Sequence, residues 1–387
     1  KFIEIAKKEN ADAIGMSALL VQTSNHMITV ARMMQKQSYD LPVLIGGAPV
    51  SFRHAGYVGM WGQDKIDRIL SSVFYCDSAM DGVQTMDALQ DKSKRKALLG
   101  ENRQKLIDEY RRAKGIEENK NKLLNSLKRR TVNFKHHHAS RNGYGFHRVE
   151  FKLQKLNELV DSRSLFSLNW KFGKKSTWRQ KGVTLEQLKH LSGEWMEKAE
   201  KNGWIIPRAA FGLFPAQSEE DDLIIYDPED KVKELARINF TVCIGKGQKD
   251  KFSIAQYFYP KSSGQMDMVG LQVTTSGDGA EKAIEEFKSD NDSESALFLQ
   301  GLSDRIAEDL AEYIHNLLRQ RAGQKKEKFG QRYSPGYPAL VDLVNNKTIY
   351  NLVKAEEIRV SLTEANEFHP ISTTAAVICF HRNAGYT

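Results

Sequence analysis

The sequence predicts two folded blocks of different class, an α/β block over residues 1–80 and an α+β block over 146–387, joined by a basic helical linker over 81–145. Three observations carry this reading. In 1–80, short apolar runs of strand length alternate with helical periodicity, the pattern of βαβ units around a parallel sheet. In 146–387, strand-like and helical stretches occur without strict alternation. Between them, 91–135 carries fifteen Lys/Arg against six Asp/Glu, a local charge of +9, while the whole chain of 387 residues carries +8. The rest of the chain is therefore close to neutral.

In order along the first block, Phe2 to Lys8 is amphipathic, and Asp12 to Val21 is an apolar run of strand length. Thr23-Ser24-Asn25 offers a helix N-cap, and His26 to Gln37 has helical spacing through Met27, Val30, Ala31 and Met34. Leu41 to Ile45 reads as a buried strand closed by Gly46-Gly47, and Val73-Phe74-Tyr75 as a third strand. Eighty residues are few for a complete doubly wound sheet, and a further piece is expected ahead of Lys1. In the linker, Glu101 to Leu127 is helical and highly charged, with a thin apolar stripe through Leu98, Leu106, Ile107, Leu123, Leu124 and Leu127. That stripe predicts a helix with little core of its own. His136-His137-His138 reads as part of a solvated basic run. In the second block Leu223–Tyr226, Val269–Val273 and Ala375–Cys379 are strand-like. Asp304 to Arg319 is a helix with Ile306, Leu310, Tyr313, Ile314, Leu317 and Leu318 on one face.

Composition narrows the function. Hydrophobic residues make up 40% and charged residues 27%, an ordinary globular balance, and no apolar run approaches the roughly 18 residues of a membrane span. The three cysteines, Cys76, Cys243 and Cys379, are far apart and odd in number, which points to a reducing, cytoplasmic setting. Neither CxxC nor HExxH occurs, so no metal site of those types is expected. The basic segment contains only Tyr110 and Phe134 as aromatics, which argues against nucleic acid and for a docking surface or a plain solvated helix.

Two constellations carry chemistry. Ser17 and Gly46-Gly47-Ala48 fall at the C-terminal ends of predicted parallel strands, the edge where open α/β sheets bind ligands. The glycines permit close approach to a large flat ligand, or serve a generic strand-to-helix turn. Further on, Gln331 to Ala339 contains Arg332, Ser334, Pro335-Gly336 and Tyr337. Arg332 offers a guanidinium fork for a carboxylate, Tyr337 an aromatic face, and Pro335-Gly336 a turn that brings backbone to a ligand. The same residues also suit a structural loop stapled by Arg and Tyr.

These motifs resemble a known family. Residues 1–80 are similar to the second half of a Rossmann-like cobalamin-binding domain. Residues 146–387 resemble the activation domain of cobalamin-dependent methionine synthase. The second resemblance rests on Arg332-x-x-x-Gly336-Tyr337-Pro338, on Arg208 to Ala216 with Asp221, Asp222 and Tyr226, on the Asp304–His315 helix, and on Leu362-Thr363-Glu364 with Pro370 and Tyr386. Departures are Val21 for a usual Thr, Gln256 for a common Asp, Leu340-Val341-Asp342-Leu343 for Cys-Pro-Asp-His, Phe368-His369-Pro370 for Met-Trp-Pro, and Thr387 for a second tyrosine. The signature Asp-x-His-x-x-Gly with the axial cobalt ligand is expected upstream; His26 and His54 fall too late to replace it and read as surface residues.

The resemblance implies methyl transfer from 5-methyltetrahydrofolate to homocysteine by the parent enzyme. This part would bind cobalamin and use S-adenosylmethionine to reactivate it reductively, with no catalytic side chain and no metal of its own. The zinc of the parent enzyme belongs to its other domains. Ser17, Val21, Gly46, Gly47 and Ala48 would line the cobalamin slot. Arg332 would take the methionine carboxylate and Glu308 the polar groups of S-adenosylmethionine. Tyr337 and Tyr386 would enclose the ligand, Ser334 and Gly336 would meet it through backbone, and Asp161 would contribute from the first helix-to-strand segment. Glu312, four residues beyond Glu308, reads as a solvated position or a cap. The implied partners are the remaining synthase domains and an acidic, flavodoxin-type electron donor steered by the basic linker. The alternative is a stand-alone corrinoid and S-adenosylmethionine module serving separate methyltransferases.

Overall fold

The computed structural model describes residues 2–18, 21–47, 49–60, 69–134, 143–173, 182–323 and 330–385. It divides into two compact units, Lys1–Ser126 and Leu127–Thr387. The triple histidine, Ala48 and Tyr386 lie outside the described residues.

In the first unit, α1 (Phe2–Lys8), β1 (Ile14–Ser17), α2 (Val21–Lys36), β2 (Val43–Gly46), α3 (Phe52–Met60) and β3 (Val73–Tyr75) follow one another. The strands form a parallel sheet in the order β1-β2-β3. Strict alternation puts Ile14, Met16, Val43 and Ile45 into the core with Met27, Ala31, Met34 and Val58. On the opposite face of β1, Gly15 and Ser17 are exposed.

Helix α2 begins at Val21, ahead of the Thr23–Asn25 cap expected from the sequence. Ser24 is buried inside it, and its carbonyl lies 2.8 Å from Nε2 of His54 on α3. Thr23, Ser24 and Asn25 thus lie inside the start of the helix rather than before it, and the Ser24 carbonyl takes part in a tertiary contact. His54 is correspondingly a half-buried tie between two helices rather than a surface residue, and burial lowers the basicity of its imidazole.

The helical segment after β3 also differs from expectation. Helix α4 (Ala79–Gln90) starts with a capping box between Ser78 and Asp81. Asp91 then ends it and begins α5 (Lys92–Ser126), accepting from the backbone N–H and the hydroxyl of Ser93. Part of the thin stripe of α5 is core, while Leu98, Leu123 and Leu124 stay half-buried. Leu106 is fully buried, Ile107, Tyr110 and Ala113 are nearly so, and the first three pack with α2, α3 and the sheet. Asn102 is buried too and donates to the carbonyls of Ser71 and Val73, at 2.9 and 2.7 Å. A stripe four residues long suffices because it meets α3 and β3 only over its middle turns; the exposed remainder carries the charge.

The 127–134 segment belongs to the second unit. The Arg130 N–H donates to Lys251 O at 2.8 Å, and its guanidinium grips both Asp250 oxygens, at 2.8 and 2.9 Å, and the Tyr257 hydroxyl. Arg129 pairs with Asp221. These two arginines of the basic run are thus spent on structure.

The second unit is built on an antiparallel sheet. Its strands are β4 (Gly145–Glu150), β5 (Arg208–Glu219), β6 (Asp222–Tyr226), β7 (Glu234–Asn239), β8 (Asp267–Thr275), β9 (Gln331–Tyr333) and β10 (Thr373–Cys379). The order is β9-β10-β8-β5-β6-β7, with β4 also paired to β5. Both faces are covered, so β5 and β8 are buried almost residue by residue. Ala209, Phe211 and Leu213 face a core built with α6 (Leu185–Lys201), α7 (Gly279–Ser289) and α8 (Ser293–Arg321). Ala210, Phe214 and Ala216 face a second core with α9 (Val344–Val353). Gln256 spans Ser253 N–H and Arg130 O in a local cap. Among the described residues no helix is long and apolar enough to cross a membrane.

Candidate functional site

In the second unit the site forms where the middle of α8 meets the edge strand β9 and the turn after it. Helix α8 is longer than the predicted Asp304–Arg319 and turns Ile306, Leu310, Ile314 and Leu318 inward, whereas Tyr313, expected on that face, is 39% exposed. Two buried side chains of β8 fix its register. Gln272 donates to Ala311 O at 3.1 Å and Thr274 to Ala307 O at 3.0 Å. That register presents Glu308 and Glu312 toward β9. Strand β9 pairs with β10 through Arg332 opposite Ile378. The chain then turns at Gly336, whose φ of 88° suits glycine and whose N–H donates to Leu340 O.

Glu308, Arg332, Tyr333, Ser334, Tyr337, Pro338 and Ala339 line a cavity of about 450 Å³. A second recess of about 360 Å³ shares Glu308 and Arg332 and adds Leu159, Asp161, Arg305, Asp309, Glu312, Tyr313 and Asn316. Arg332 thus lines both. Its Nη2 is 3.4 Å from Glu312 Oε2 and 3.9 Å from Glu308 Oε2, and its side chain is only 16% exposed. Glu312, read from the sequence as a cap or solvated position, is a partner of this arginine. The nearby His315 imidazole, then Arg332, hold its carboxyl below the usual range against the opposing effect of burial. His315 Nδ1 is 3.7 Å from Glu312 Oε2, beyond hydrogen-bond distance.

Asp161 caps the short helix Ser162–Ser164. Its carboxylate accepts from the Ser164 hydroxyl at 2.6 Å and from the N–H groups of Arg163 and Ser164, and the hydroxyl bond is the first cause of its lowered pKa. Its own N–H donates to Asp309 Oδ2 at 2.9 Å. Asp309 is pushed up by burial, and Arg305, 2.9 Å away, opposes that. Tyr333, not singled out from the sequence, lines the main cavity and donates from its hydroxyl to Gly385 O at 2.9 Å, which holds the tail beside the site.

Of the residues predicted to bind S-adenosylmethionine, Glu308, Arg332, Ser334 and Tyr337 line one cavity, Asp161 lines the adjoining recess, and Gly336 forms the turn between Ser334 and Tyr337. Sequence reasoning missed Arg305, Asp309, Tyr313 and Asn316 as lining residues. Arg305 and Asp309 sit within a motif already noticed, and their spacing of four was the available signal.

In the first unit, Ser17 and Gly46 are register partners at the C-terminal ends of β1 and β2, and the Ala18 N–H donates to Gly46 O. Gly47 follows with φ of 115°. The Val21 side chain lies outside the described set. The glycines have a tighter reason than ligand approach. A Cβ at Gly46 would lie 2.8 Å from Cys76 O, and one at Gly47 would lie 2.0 Å from Ala18 O. Their absent side chains admit the chain's own backbone. At Gly15, by contrast, a Cβ would meet nothing within 4 Å.

Comparison with known proteins accords with this geometry. Residues 152–387 match the model of the vitamin B12 dependent methionine synthase activation domain, and residues 1–64 match that of the B12 binding domain. A methionine synthase of Mycobacterium tuberculosis is 25% identical over 430 aligned positions, covering 99% of this chain and 35% of that protein, so the chain spans about a third of that relative's length. A crystal structure of the MetH reactivation domain bound to AdoHcy superposes with a TM-score of 0.57 at 23% identity. It covers 64% of this chain and 81% of the other, a likeness of fold. The activation-domain match takes in well over half of the chain, which therefore belongs to the family of the vitamin B12-dependent methionine synthase activation domain.

Proposed function

We propose that this chain is the cobalamin-binding and activation portion of a cobalamin-dependent methionine synthase, and that its second unit binds S-adenosylmethionine for reductive reactivation of the cofactor. The observation that carries this is Arg332, mostly buried between two glutamates and opening onto both recesses. S-adenosylmethionine has a carboxylate, an ammonium and a sulfonium. The Arg332 fork suits the carboxylate, and Glu308 and Glu312 suit the cationic groups. Tyr337 offers a ring face, and the backbone at Ser334 and Gly336 offers polar contacts to the nucleoside; Tyr386 and Asp161 complete the set of binding residues. A cavity of about 450 Å³ is of the size that holds a small molecule.

For the first unit, the support is the bare face of β1. Parallel sheets are normally covered on both faces, yet Gly15 and Ser17 are exposed beside Gly46 and Gly47. A flat ligand fits such a face, and we assign cobalamin to it, with Ser17, Val21, Gly46, Gly47 and Ala48 as its wall. The three-stranded parallel sheet is then half of a Rossmann-like fold. We assign the cobalamin-binding part to 1–80 and the activation part to 146–387, with the helical and basic 81–145 connecting them in sequence and divided between the two units. When bound, the cofactors supply the nucleophile and the activated methyl group. The residues here bind, orient and exclude water, and none acts as acid, base or nucleophile. The charged surface of α5 suits an acidic, flavodoxin-type electron donor, and the remaining synthase domains complete the methyl transfer. A cytoplasmic setting agrees with three cysteines far apart in the sequence and odd in number.

Calorimetric titration of S-adenosylmethionine into the chain tests this reading. Saturable binding is expected. Arg332→Ala should weaken it by about 2–5 kcal/mol, because it leaves a charged partner unpaired at the site. No binding by a folded wild-type chain, or equal binding by the variant, overturns it.

A further inference from the structure

We propose that Asp309 is a positioning residue of the S-adenosylmethionine site, holding the segment that carries Asp161 against α8; this rests on the ligand assigned above. Asp309 is 8% exposed. One carboxylate oxygen is 2.9 Å from Arg305 Nη2, one turn back on the same helix, and the other accepts the backbone N–H of Asp161 at 2.9 Å. The two aspartates are 148 residues apart in sequence, so this bond joins elements that no local rule brings together. Asp161 does not secure itself by its own carboxylate, which is occupied within its turn by Arg163 and Ser164. Both aspartates and Arg305 line the recess that shares Glu308 and Arg332 with the main cavity.

A buried ion pair is weak as a source of stability, since an apolar pair of similar volume often does as well. Its place here is explained by the bond it makes available. Arg305 keeps the Asp309 carboxylate oriented, and the carboxylate receives the N–H of Asp161. Asp161 is itself exposed, so the bond fixes that segment against the helix rather than rescuing a buried donor. The wall bearing Leu159 and Asp161 is thereby set at a defined distance from Glu308 and Arg332. Asp309 need not touch the ligand.

The test compares Asp309→Ala with Asp309→Asn in the full chain. The asparagine keeps an acceptor for the Asp161 N–H and the alanine does not. Two readouts are taken: hydrogen exchange of the Asp161 amide by NMR, and calorimetric affinity for S-adenosylmethionine. Asp309→Ala is expected to speed that exchange and weaken binding, each by roughly tenfold or more, the size of one hydrogen bond to a charged group. Asp309→Asn keeps the acceptor for Asp161 but turns an NH2 group toward Arg305, and is expected to be impaired less than Asp309→Ala on both. Once Arg305→Met removes that opposing cation, Asp309→Asn is expected to stay within about threefold of the Arg305→Met parent. If Asp309→Ala does not fold, Arg305→Met with Asp309→Leu is compared with Arg305→Met with Asp309→Asn, and the same contrast is expected. Wild-type binding that Asp309→Ala leaves intact, or an asparagine variant as impaired as the alanine one, overturns this inference alone. No binding by the wild-type chain overturns the ligand assignment and this inference with it.

Discussion

At the scale of single residues, Gly46, which ends β2, and Gly47 beside it are required by the chain's own packing. Their motif left both ligand approach and a strand-to-helix turn open, and the backbone at Cys76 and Ala18 leaves no room for a Cβ at either position whatever the ligand. Gly47→Ala would place a methyl against the Ala18 carbonyl at a φ of 115°. It is expected to destabilise the first unit by about 2 kcal/mol or more, read as a lower urea midpoint. Gly15→Ala, which meets open space, is expected to stay within about 0.5 kcal/mol of wild type. Equal effects would show that the turn yields and that the glycine is not required by packing. For Arg332 the sequence left a ligand carboxylate and a structural staple both open, and the structure adds Glu308 and Glu312 beside one of its guanidinium nitrogens.

At the scale of elements, α5 is the instructive one. Its high charge and thin stripe read as a solvated linker, and its helicity was legible. What was not legible is that Leu106, Ile107 and Tyr110 meet α3 and the sheet, because a three-residue contact leaves little periodic signal in 35 residues. Leu106→Ala is expected to cost about 2–5 kcal/mol of first-unit stability, as for a fully buried leucine. A cost under 1 kcal/mol in denaturant unfolding would show that α5 adds little to that core. In α8 the inward face was read almost correctly from its spacing, and Tyr313 departs from it because it packs edge-on against Phe151 at the margin of the core.

At the scale of the whole molecule, two compact units with separate cores predict two responses to one ligand. S-adenosylmethionine at about 100 times its dissociation constant should stabilise the unit that binds it by about 2.7 kcal/mol. The expected result is a rise in the thermal midpoint reported by Trp195 and Trp204 in the second unit, without a matching rise in the first. A rise of equal size in both would mean that they unfold as one.

By itself the sequence determined the class of each block, the positions of β1–β3, β6, β8 and β10, the inward face of α8 and the Arg332–Tyr337 turn. Each of these is written in local periodicity or in the chemistry of adjacent residues. The central strand β5, with β4 and β7, was not read as strand. Only the tertiary structure decided which faces meet. It brought Asp161 to Asp309 across 148 positions, and set Glu312 beside Arg332. It also took Arg129 and Arg130 out of the free basic surface. Partners distant along the chain are selected by packing and by the need to satisfy buried polar groups, and neither leaves a mark in the spacing of neighbouring residues.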